Sequence, residues 1–175
     1  MDITEKRSDA SSSTVRVKGK SGSEQNTLRG ELYRHAIGRL NAAIENDNVF
    51  EAVALCDTLI TDRLEAYTQS LLHFDELQQE VASSGWALRA VGKARKEKGI
   101  AKDAEYKQLY AEVSDFSARR NEVAHNFVIV KNANAHMSLE DRLQCARETA
   151  VLGKVVFNKL KAWTVKNIVK EEEQK

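Results

Sequence analysis

Proline is missing from all 175 residues, where average usage of roughly 5% would place about nine. Helices can therefore run without the kinks and lost hydrogen bonds that proline imposes. Glycine is sparse at 8 residues and aromatics make up 6% of the chain. The β-branched, aromatic and turn-rich clusters that recur at regular spacing in all-β chains are lacking, so a sandwich or barrel is not expected. No apolar run approaches the roughly 18 residues that a membrane span requires. The start Met1-Asp2-Ile3-Thr4-Glu5 has neither the basic beginning nor the apolar core of a secretory signal. A cytoplasmic chain with no membrane contact is the expectation. Cys56 and Cys145 lie too far apart for a metal or redox motif and read as small core residues. A charge excess is lacking too, since 27 basic side chains face 26 acidic ones for a net charge of +1. Any nucleic-acid contact must then be local.

What is present is helical periodicity. Residues 1–27 are polar and serine-rich, with too little apolar surface to offset ordering entropy, and read as a flexible tail. From Leu28 the pattern turns helical, with Tyr33, Ile37, Leu40 and Ile44 on one face. Asn46-Asp47-Asn48 breaks that helix, and Phe50, Val53, Asp57, Ile60, Leu64, Tyr67 and Leu71 then alternate spacings of 3 and 4. A shorter segment, Asp75 to Ala82, ends at Ser83-Ser84-Gly85; another runs from Trp86 into the basic stretch Lys93 to Lys98, a helix end followed by a loop. A long helix covers Asp103 to Val128, and Ile129 to His136 is ambiguous. Ser138 with Asp141 resembles a capping box and opens the last helix, through Trp163, with 171–175 as a charged end. The expected fold is an all-α bundle of about five helices, with its helical domain at 28–170.

Two polar residues sit where apolar ones belong. At about 100° per residue, Leu109, Val113, Phe116, Ala124 and Phe127 all fall within about 40° of Arg120. Arg120 is thus central on an apolar stripe, where a charge is costly unless paired. Asp57 is the matching anomaly on the second helix, and a charge-assisted bond between the two would fix the guanidinium. The alternative is that either side chain reaches solvent along its apolar stem. Asn121 and His125 share a flank of Arg120's helix. Histidine suits proton transfer near neutrality, and arginine's planar fork suits a phosphate. Together they fit metal-free cleavage of a phosphodiester, with an RNA 2′-hydroxyl as the attacking group. No carboxylate or His/Cys cluster suggests a metal, and no Gly-rich loop suggests a nucleotide hydrolase or another cofactor site.

Arg120-Asn121-Glu122-Val123-Ala124-His125 resembles the Arg-x(4–6)-His signature of the HEPN superfamily, helical domains many of which are metal-independent ribonucleases. Arg29 with His35 and Arg119 with His125 also satisfy the spacing. The Arg120 match is set apart by its place late in a long helix, by its Arg-Asn pair, and by the loop and final helix after it. Asp57 to Leu72 is similar to the long second-helix segment of these domains. The resemblance implies that His125 moves protons, Arg120 holds the phosphate and Asn121 orients the site. It also implies a homodimer with both motifs in one cleft, RNA products with 2′,3′-cyclic phosphate ends, and a role as a toxin or phage-defence effector. A nucleotidyltransferase-like antitoxin would be its partner.

Further candidates carry double readings. Lys93, Arg95 and Lys96, with Arg89 and Lys102 beside them, either track an RNA backbone or complement a helix dipole. Arg119 either pairs with Glu122 or backs up Arg120. Asp62-Arg63 reads as a surface pair rather than part of a site, Trp86 and Trp163 as core anchors rather than base-stacking platforms, and His35, His73 and His136 as structural or exposed. The rival function is a non-catalytic helical module binding nucleotide, RNA or protein, with Arg120–Asp57 as a structural pair; a third is an adaptor docking partners through its tail.

Overall fold

The computed structural model describes residues 24–71, 83–128 and 135–172. Among these residues there are five helices and no strand: α1 Glu24–Glu45, α2 Val49–Leu71, α3 Ser84–Glu97, α4 Ala104–Val128 and α5 Leu139–Glu172. The all-α expectation holds. α1 begins at Glu24, so the last residues assigned to the tail form its first turn. The expected tail up to residue 23, the segment Asp75 to Ala82, His73, and 173–175 lie outside the described residues.

Local chemistry sets the helix ends. Asp47 takes a left-handed φ of 56°, and the Asn48 amide donates back to the Ala43 carbonyl at 2.8 Å, closing α1 in a Schellman-type turn. Gly99, with φ 66°, does the same for α3 as the Ile100 amide reaches the Arg95 carbonyl at 2.9 Å. Asp103 caps α4 by accepting the Tyr106 amide at 2.7 Å. The expected capping box opens α5: the Ser138 amide donates to Asp141 Oδ2 at 2.8 Å and the Asp141 amide to Ser138 Oγ at 3.1 Å. Hydrogen bonds from the Ser138 hydroxyl and amide hold the Asp141 carboxyl below its ordinary range.

α2 is the axis of the bundle and contacts all four other helices, α5 most extensively. Its inward face places Cys56, Ile60, Leu64 and Tyr67 against Phe116 of α4 and Val156, Phe157 and Leu160 of α5. Burying side chains of this size contributes about 1.5–3 kcal/mol each. α2, α4 and α5 come closest at Gly153, where an added Cβ would lie 2.6 Å from Phe116 Cε2 and 2.7 Å from Cys56 Cβ. Only hydrogen fits there. Burial pushes the Cys56 thiol up to about 12, whereas Cys145 is exposed and does not join the core as expected.

Candidate functional site

The Arg120 segment is pinned at three points on the inner face of α4. Arg120 Nη2 lies 3.1 Å from Asp57 Oδ2 and 3.3 Å from Oδ1. Val123 enters a satellite core with Val49 and Ala146, on which Leu143 packs. Phe127 meets Phe50 edge to face, centroids 4.3 Å apart. Each anchor ties the end of α4 to α2. Ala124, expected on the buried stripe, is exposed; Val123 takes its place because the inward face turns slightly as α4 passes from Phe116 to the satellite core. Asn121 and His125 are exposed, on the flank expected from their angles around α4.

Asp57 does more than face Arg120. Its Oδ1 also accepts the Ser84 amide at 3.3 Å, while the Ser83 side chain makes no cap bond. A carboxylate from α2 thereby caps α3, where the helix dipole favours negative charge. Around this junction the Arg120 Nε, the Ser84 hydroxyl and, one turn beyond Asp57 on α2, the Thr61 hydroxyl are buried without a hydrogen-bond partner among the described residues. Arg120 keeps 23% of its side chain exposed. The pair is a seam joining α2, α3 and α4 with one edge open to solvent.

Arg95 is a different case, and it leaves the basic run. The residue is 2% exposed. Nη1 donates to the Tyr67 hydroxyl at 2.8 Å, and Nη2 to the Ala101 carbonyl at 2.6 Å and to Asp103 Oδ2 at 3.5 Å. The guanidinium lies 4.3 Å above the Tyr106 ring and 5.7 Å from that of Trp163. It is thus withdrawn from any RNA backbone, while Lys93 and Lys96 remain exposed. The signal was present in the sequence: Leu88, Val91 and Arg95 are spaced by 3 and 4, so Arg95 falls on the apolar stripe of α3. The same spacing places Trp86 about 140° from Val91. Trp86 is 55% exposed, not a core anchor, and carries the Arg89 guanidinium 4.5 Å over its ring; Trp163 does lie in the core.

Arg119 pairs with Asp115 at 3.1 Å, one turn back along the exposed surface of α4, rather than with Glu122. Asp62 and Arg63 do pair, Nε to Oδ2 at 4.0 Å and partly buried, and each also reaches α1. Asp62 accepts Arg29 at 3.0 Å, and Arg63 stacks 4.2 Å over Tyr33 while donating to its hydroxyl. Burial raises the Tyr33 pKa against the opposing Arg63 charge. These contacts bolt α1 to α2. His35 and His136 are exposed. A groove between α4 and α5, lined by Leu109 and Trp163, is flanked by the ion pairs Lys159–Glu112 at 2.7 Å and Lys166–Glu105 at 2.9 Å. It contains none of the residues singled out from the sequence as a site. Among the described residues, no group of three or more His, Cys, Asp and Glu side chains could hold a metal ion, and no helix is long and apolar enough to cross a membrane.

No family model, curated protein or solved structure matches the chain.

Proposed function

We propose that the chain is a metal-independent endoribonuclease of HEPN type, acting as a homodimer and serving as a toxin or phage-defence effector restrained by an antitoxin. The observation that carries the reading is the half-open Arg120–Asp57 seam, with His125 exposed further along the same helix. Asp57 fixes one end of the guanidinium, and the exposed edge supplies directed positive charge to a phosphate oxygen, where charge builds in the transition state. His125 exchanges protons with the attacking 2′-oxygen or the leaving 5′-oxygen, and Asn121, on the same flank, orients the nucleotide.

Arg120 faces α2, while His125 lies about 140° around α4 and about 7.5 Å along it. One phosphate is served by both most readily when His125 comes from a second copy, as in a twofold cleft. The test is incubation of the purified protein with RNA in excess chelator. The expected products carry 2′,3′-cyclic phosphate and 5′-hydroxyl ends, and they disappear in His125→Ala and Arg120→Ala variants that keep full helicity. Cleavage that survives His125→Ala, or that requires a divalent metal, contradicts the proposal.

A further inference from the structure

We infer that the outward face of α3 is a binding track for single-stranded polynucleotide, with Trp86 as a base-stacking platform and Arg89, Lys93 and Lys96 as phosphate contacts. Trp86, Arg89, Lys93 and Lys96 are all exposed and fall within about 80° of one another around the helix, over about 15 Å of its length. A tryptophan 55% open to water leaves a large apolar ring face unburied. Arg89 covers only part of it, 4.5 Å from the ring centre, so a base can stack beside the guanidinium. The only acid in α3 is Glu97, whose Oε1 lies 3.9 Å from the Lys93 ammonium. The face is therefore positive on a chain whose net charge is only +1. An exposed aromatic followed by cations at helical spacing matches what single strands require, since every base has a π-face and every linkage a negative charge. An acidic peptide would use the cations and leave the tryptophan without a role.

The position supports the same ligand. Ser84, two residues before Trp86, donates its amide to Asp57, the partner of Arg120. An added Cβ on Gly85 would lie 2.8 Å from Ser117 Oγ, which places the start of α3 against α4 one turn before Arg120. The track begins at the edge of the proposed cleavage site and leads away from it. The inference rests on the ribonuclease reading for its choice of RNA, but binding and cleavage are measured separately.

The probe is a fluorescent single-stranded RNA oligonucleotide with every 2′-oxygen methylated, which cannot attack its own phosphate. Trp86→Ala is expected to weaken its binding about tenfold, as for loss of one stacked base, with Trp86→Phe losing less. Lys93→Gln with Lys96→Gln should flatten the slope of log affinity against log salt by about 1.4, because two phosphates of the strand are then left without a cation. Binding should quench the fluorescence of Trp86, with Trp163 shielded in the core. Unchanged affinity in Trp86→Ala overturns the track, as does equal affinity for a duplex of the same sequence or equal competition by oligoglutamate. A wild-type protein that cleaves RNA yet binds the probe independently of Trp86 sinks the track alone. One that binds through Trp86 yet cleaves nothing sinks the nuclease alone.

Discussion

Arg95 and Arg120 both sit on apolar stripes of their helices, yet they end in opposite circumstances. Arg95 is enclosed by Tyr67, Tyr106 and Trp163, its terminal nitrogens donating to the Tyr67 hydroxyl and the Ala101 carbonyl, with the Asp103 carboxylate 3.5 Å from Nη2. Arg120 meets, among the described residues, the Asp57 carboxylate alone and keeps an open edge. Near-complete enclosure locks the C-terminal end of α3 onto α2 and leaves no edge of the charge open to a ligand. Partial enclosure against a carboxylate leaves a charge oriented but reachable, which is the condition a phosphate ligand must meet. The contrast separates a structural arginine from a functional candidate more clearly than sequence spacing does.

The comparison is broken first at Arg95. Arg95→Ala removes the hydrogen bonds to the Tyr67 hydroxyl and the Ala101 carbonyl and opens a cavity beneath Trp163, and should cost about 3 kcal/mol or more in urea unfolding; a loss under about 0.5 kcal/mol, typical of a surface site, would place Arg95 among the solvent-facing cations. Asp57→Ala should cost less, about 1–2 kcal/mol, because Arg120 can turn its partly exposed head to water. It should nonetheless reduce RNA cleavage at least as severely as it reduces stability, and a variant that loses stability with undiminished cleavage would make the pair purely structural. Thiol labelling sharpens the picture around the seam. Cys145 is exposed while Cys56, next to Asp57, is buried with its pKa raised to about 12, so iodoacetamide should modify one thiol of the native chain and the second only on unfolding. Faster Cys56 labelling in Asp57→Ala would report local opening of the seam. The smallest effect belongs to Trp86→Ala, expected within about 0.5 kcal/mol of wild type because the ring is open to solvent.

Much of this is legible in the residues. α2 and α4 are readable because long, proline-free helices preserve angular phase, and Asp57 and Arg120 stand out because each interrupts a regular apolar stripe. Their meeting depends on how α2 and α4 pack, which no single helix encodes. At Arg95 and Trp86 composition misleads where phase does not: a cation within a basic run reads as solvated and a tryptophan as core, although their angles on α3 give the reverse. The Asp57 cap on Ser84 has no local signal, since the carboxylate arrives from 27 residues away. The exchange of Ala124 for Val123 reflects the satellite core formed by Val49 and Ala146, a tertiary contact invisible to periodicity.

The most direct test of the central claim, that one phosphate is served by Arg120 of one copy and His125 of another, is to mix the inactive Arg120→Ala and His125→Ala proteins and assay RNA cleavage in chelator. Random exchange makes about half of the dimers mixed, each with one intact centre of two, so about a quarter of wild-type activity should return. A mixture that exchanges subunits yet remains as inactive as its components would contradict the claim.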